Sequence, residues 1–98
     1  MYYIKYIYMK QYFAEFLGTL FFLYVILATG NAIAAGIALA IAIIIAGPIS
    51  GGHLNPAVTV MMFAAKKIPS SEIMPYVLAQ VLGGLTAFEL FKRVKITK

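Results

Sequence analysis

The chain has 98 residues, 63% of them hydrophobic and 11% charged, where a soluble domain carries roughly 25% charge. Its net charge is +5, but the cations sit at the termini and at Lys66-Lys67, as headgroup-level residues flanking membrane spans do, so nucleic acid is not an expected partner. Cysteine is absent, and neither disulfide chemistry nor redox compartment can be argued from it.

No Lys, Arg, Asp or Glu occurs between Glu15 and Lys66. That interval holds at least two spans of about 20 residues, which makes the chain an integral, multi-pass membrane protein. A cleaved signal peptide is disfavoured, because Glu15 opens the first apolar stretch and the stretch is long for such a segment.

In chain order, residues 1–11 are rich in Tyr around Lys5 and Lys10 and read either as an interfacial lead-in or as an unstructured N-terminus. The first span covers residues 12–29, and Gly30-Asn31 breaks it. The second covers residues 32–46. Its Ala content and Gly36 predict close backbone packing at the centre of a bundle. Gly47-Pro48 is expected to end it, since proline lacks the backbone donor and biases its predecessor away from helix. Residues 47–55 form a polar, glycine-rich loop.

Asn55 then serves as an N-cap and Pro56 as the first helical residue of a segment over 56–65. Ten residues at 1.5 Å rise cover about 15 Å, half of a ~30 Å hydrocarbon core, so the segment is a re-entrant half-helix. Ser70 or Ser71 is expected to cap the third span, residues 72–91, with Pro75 tolerated in its first turn. Gly83-Gly84 marks another close approach, and Glu89 can pair with Lys92 or Arg93. Residues 92–98 form a basic tail. The fold class is an all-α membrane protein of three spans plus one half-helix.

The loop carries the chemistry. Irregular backbone survives at membrane depth only inside protein or along a wet cavity. A half-helix starting near the midplane presents free N–H groups and a positive dipole end. Asn55 can accept from its own helix end and still offer its carboxamide N–H₂ outward. Gly51, Gly52, His53 and Leu54 are expected to run extended and expose a row of carbonyls. Acceptors leading to a donor suit a small neutral hydrogen-bonding solute, whereas a cation meets the positive helix end. His53 is the only histidine and is read as a hydrogen-bonded structural residue. With no Asp or Cys in the chain, neither a metal site, a cofactor nor an enzyme is expected.

The motif Gly51-Gly52-His53-Leu54-Asn55-Pro56-Ala57-Val58-Thr59 resembles the first Asn-Pro-Ala loop and half-helix of the aquaporin and aquaglyceroporin family, the major intrinsic proteins. The stretch Ala14-Glu15-Phe16-Leu17-Gly18-Thr19 resembles that family's first helix. The stretch Tyr76-Val77-Leu78-Ala79-Gln80-Val81-Leu82-Gly83-Gly84 resembles its third. The resemblance implies a pore in which Asn55 donates to the solute beside Pro56 and Ala57, and the carbonyls of residues 51–54 form a polar track. It makes Glu15 a buried carboxylate holding the loop, in keeping with the rule that an intramembrane acid needs a partner. Gln80 is read as an interhelical hydrogen-bonding residue. The family's outer constriction uses a second-helix residue and an Arg two residues after the second Asn-Pro; in a self-paired chain the resemblance places Ala35 and Val58 at these positions, with Ile43 and Gly52 as further walls. That implies a wide, permissive lining without a fixed cation.

A family member is an inverted repeat of two such units, and this chain shows one. With the family's topology, Lys5, Lys10, Lys66 and Lys67 lie on one side and Lys92, Arg93, Lys95 and Lys98 on the other, a balance that sets no orientation. The expectation is dual topology: copies insert both ways and pair as an antiparallel homodimer, possible in higher assemblies, within lipid. A complementary half-channel is the other candidate partner. The competing class is a non-conducting fragment or a regulatory subunit associated with a full-length channel.

Overall fold

The computed structural model describes residues 2–94. Four α-helices follow one another: α1 (Tyr2–Thr29), α2 (Ala32–Ser50), α3 (Pro56–Ala64) and α4 (Ile73–Val94). A single 3-10 turn, Ser70–Glu72, precedes α4. The segments Met9–Thr29, Ala32–Ser50 and Ser70–Val94 are long and apolar enough to cross a membrane. The protein is thus an all-α integral membrane protein with three membrane-length helices and one short one. At 9 residues, α3 reaches only about 14 Å and cannot cross a ~30 Å core.

The central helix is α1, which packs on both α2 and α4, while α3 rests on α4. The expectation that α2 would be central is corrected. Its small residues fall on one side: Ala38, Ala42, Ala46 and Ser50, spaced by four, are buried. Ile33, Ile37, Ile41, Ile44 and Ile45 stand exposed. Small residues on one stripe allow one close helix contact, not several. On α4 the close approach is at Gly83, where a Cβ would lie 2.6 Å from the Phe16 carbonyl oxygen. Without a side chain there, α4 meets the α1 backbone directly.

Three local expectations are also corrected. Pro48 does not stop α2, which continues to Ser50. The turn closes afterwards, on left-handed Gly51, whose N–H donates to the Gly47 carbonyl at 2.9 Å. One lost donor is tolerated when the next turn is capped this way. Neither Ser70 nor Ser71 caps α4. Both belong to the 3-10 turn, whose N-cap is Pro69 and which has no side-chain cap bond. The third membrane-length helix extends past residue 91 to Val94, so Lys92 and Arg93 are helical rather than tail.

The N-terminal residues from Tyr2 continue α1. The reading of Tyr2, Tyr3, Tyr6 and Tyr8 as interfacial rings concerns side chains outside those described, as do Met1 and residues 95–98 of the basic tail. Glu89 pairs with Lys92 at 3.2 Å and Arg93 at 3.4 Å. Asn31 caps α2 by accepting from Ala34 N at 2.8 Å, so Gly30-Asn31 both breaks one helix and starts the next.

Candidate functional site: a loop held by a buried carboxylate

Residues 51–55 link α2 to α3; Asn55 is extended (φ −159°), but the run before it is not. Gly51 (φ 93°), Gly52 (φ 63°) and Leu54 (φ 56°) all occupy the left-handed region. The expected straight row is instead a tight hook. Its cause is Glu15, on α1 and 0% exposed. One carboxylate oxygen accepts from His53 N at 3.0 Å and Ser50 Oγ at 2.6 Å. The other accepts from Leu54 N at 2.8 Å and Gln80 Nε2 at 2.9 Å. Successive N–H groups in such a turn converge on one anion, as backbone nests do. Four donors fill the lone-pair sites of the carboxyl group.

Leu54 is the strained member, because a left-handed non-glycine residue costs roughly 1–2 kcal/mol. Its N–H bond to Glu15 and its buried side chain hold it there. The side chain lies against Gly18, where a Cβ would come within 2.8 Å of Leu54 Cδ2.

A second layer supports the first. Thr59, at 0% exposure, sits one turn into α3. Its hydroxyl accepts from Gln80 Nε2 at 2.9 Å and meets His53 Nδ1 at 2.9 Å. Gln80 therefore ties α4 to both α1 and α3. Tyr76 lies against the His53 ring, with centroids 4.7 Å apart, and donates to the Ser50 carbonyl at 2.7 Å. Tyr12 meets Tyr76 edge-on and donates to Glu72 Oε1 at 2.8 Å, where Gln11 Nε2 also donates. Ser50, Thr59 and Tyr76 gained no role from the sequence. One signal was available: Tyr76 and Gln80 are four apart on α4, and such pairs share a helix face.

The other side of the loop is unspent. Asn55 is exposed, and its Oδ1 accepts from Ala57 N at 2.7 Å, capping α3. Its carboxamide N–H₂ donates to nothing among the described residues, and the carbonyl oxygens of residues 51–54 accept nothing there. Asn55 and Pro56 line a groove of about 570 Å³ between α1 and α4, with mostly apolar walls such as Phe22, Ile26, Leu85 and Phe88.

Of the other positions singled out, Ile43 stands beside Gly52, where a Cβ would be 3.4 Å from Ile43 Cα. Ala35 lies eight residues earlier on α2, about 12 Å away along the axis, and is not brought to the loop. Ala57 is exposed and Val58 half-buried on the first turn of α3. No cluster of three metal-ligating side chains occurs among the described residues.

The sequence profile of the Major intrinsic protein family matches residues 3–98. The chain is 39% identical over 88 residues to Glycerol uptake facilitator protein-like 6 of Lactiplantibacillus plantarum, covering 81% of this chain and 41% of that relative. It is 42% identical over 103 positions to Aquaglyceroporin-2 of Rhizophagus irregularis, covering 88% of this chain and 32% of the relative. To Aquaporin AqpM of Methanothermobacter thermautotrophicus it is 44% identical over 59 residues, 60% of this chain and 24% of that one. The chain thus spans less than half the length of these relatives. Members of the family are channels and not enzymes, and a loop hooked around a buried carboxylate with its Asn-Pro end left open belongs, in this chain, to the major intrinsic protein family.

Proposed function

We propose that the chain builds a passive pore for water and small neutral solutes such as glycerol, completed by a second, inverted copy of itself. The carrying observation is Asn55. Its oxygen is engaged by the α3 end, and its N–H₂ is free, in a groove open along one side. The unpaired carbonyls of residues 51–54 supply acceptors next to that donor. A neutral molecule with a hydroxyl finds both, and the positive end of α3 opposes cations. Glu15, Gln80, Thr59 and His53 act behind this surface by fixing the loop.

One unit does not enclose a path. An open, polar helix end is costly in lipid, and a second unit facing it removes that cost. The balance of cations, Lys5, Lys10, Lys66 and Lys67 against Lys92, Arg93, Lys95 and Lys98, imposes no orientation and so supports antiparallel pairing. The greater length of the relatives favours a second reading, in which a different unit supplies the complementary half or a full-length channel takes this chain as a subunit. In the self-paired chain Val58 of the inverted copy would take the place of the Arg that follows the family's second Asn-Pro, so the lining would lack the fixed cation and would pass glycerol as well as water.

Topology labelling separates the readings. The chain has no cysteine, so Lys67→Cys gives a single reactive site. In cells or sealed vesicles, an impermeant maleimide should reach about half of the copies from each side if topology is dual. Labelling from one side alone contradicts self-pairing and supports a separate partner.

A further inference from the structure

A second groove runs between α1 and α2, with a volume of about 610 Å³. Phe13, Leu17 and Phe21 form one wall and Ile41, Ile45 and Ile49 the other. Among the described residues its one charged or polar lining residue is Lys10, at one end. We infer that this groove is a binding site for an anionic phospholipid, with an acyl chain between the helices and the headgroup on Lys10. The inference goes beyond the pore and does not depend on it.

Length supports the assignment. Lys10 and Phe21 are eleven residues apart on one helix, about 16 Å at 1.5 Å per residue. Half of a ~30 Å hydrocarbon core is about 15 Å. The groove therefore covers one leaflet, with its cation at headgroup level and its apolar length below. Charge selects the occupant. Lys10 makes no ion pair among the described residues. Of the carboxylates that a second copy could bring, Glu15 is enclosed by four donors, Glu89 already holds Lys92 and Arg93, and Glu72 takes Gln11 and Tyr12 on one oxygen. An anionic lipid brings both a counter-charge and a chain.

The absence of tryptophan allows a direct test. Leu17→Trp places one fluorophore on the groove wall, and Leu78→Trp places one on α4, where the native side chain is similarly exposed. Each variant is reconstituted with lipids whose chains carry bromine, which quenches tryptophan on contact. Brominated phosphatidylglycerol should quench Leu17→Trp at about fivefold lower mole fraction than brominated phosphatidylcholine, as one basic residue near the surface gives. The two lipids should act equally at Leu78→Trp, and equally at Leu17→Trp once Lys10→Gln is added. Equal quenching with Lys10 present, or a preference that survives Lys10→Gln, overturns the site. Fluorescence at Leu17→Trp that neither lipid quenches also overturns it, because protein then covers the groove. If circular dichroism shows Leu17→Trp misfolded, Phe21→Trp on the same wall repeats the measurement.

Discussion

The two sides of the 51–55 loop differ in how their hydrogen-bonding groups are used. On the inner side the donors converge on shared acceptors: Glu15 receives four, Thr59 joins His53 to Gln80, and Tyr76 closes on Ser50, with Gln80 Oε1 the one atom of this network left unpaired among the described residues. On the outer side the Asn55 carboxamide N–H₂ and the loop carbonyls have none. The loop thus binds the protein on one side, and at its end Leu54 and Asn55 reach the groove, where the Asn55 N–H₂ is unpaired. Left-handed backbone at Gly51, Gly52 and Leu54 makes this division possible, because it turns neighbouring N–H groups inward to one carboxylate. Rigidity on one face is what keeps unpaired groups on the other from collapsing into bonds of their own.

Breaking the inner side should have the largest effect. Glu15→Ala leaves the His53 and Leu54 N–H groups and one N–H of Gln80 buried without an acceptor, while the Ser50 hydroxyl can turn to the Ala46 carbonyl at 3.3 Å. At roughly 1–3 kcal/mol per orphaned group, the loss is several kcal/mol, enough to unfold the protein in detergent at ambient temperature. A monodisperse, fully helical Glu15→Ala protein by chromatography and circular dichroism would contradict the arrangement. Thr59→Val keeps the volume but removes one hydroxyl that two partners use. It should lower stability by about 1–3 kcal/mol, read as a drop in thermal midpoint, without abolishing folding.

The outer side should respond in selectivity rather than stability. In a chain that conducts, Val58→Arg should reduce glycerol flux several-fold relative to water, with an unchanged melting curve. Unaltered relative flux would remove Val58 from the lining. A change on neither side serves as the control. Glu89 is an exposed acid paired with Lys92 and Arg93, and surface pairs contribute little. Glu89→Gln should alter neither thermal midpoint nor flux measurably.

The helices were legible from apolar runs and from capping residues. The start of α3 is written in Asn55-Pro56, because an Asn cap and an N1 proline are local devices that need no tertiary partner. The end of α2 was misread, because the effect of Pro48 depends on whether the following turn finds another closure, which Gly51 provides. The hook was hidden for a related reason. Two glycines permit a left-handed backbone, but Leu54 adopts it only because Glu15, 39 residues earlier, collects its N–H. Thr59 and Tyr76 looked like ordinary helix residues, and only the packing of α3 and α4 gives them partners. The central place of α1 likewise follows from α2 having a single small-residue stripe, a count that composition alone obscures.

The central claim is that an intact loop with a free Asn55 donor forms a conducting path when this chain meets its own copy. Stopped-flow light scattering on proteoliposomes containing this chain alone, under osmotic water and glycerol gradients, tests it directly. Asn55→Asp is the paired variant: it preserves the cap, and its charge suits the helix N-terminus, but it removes the N–H₂ donor. The account predicts rapid volume change with a low activation energy for the unaltered chain, lost in folded Asn55→Asp. Flux no greater than that of empty vesicles, from protein shown to be helical and inserted, would contradict it.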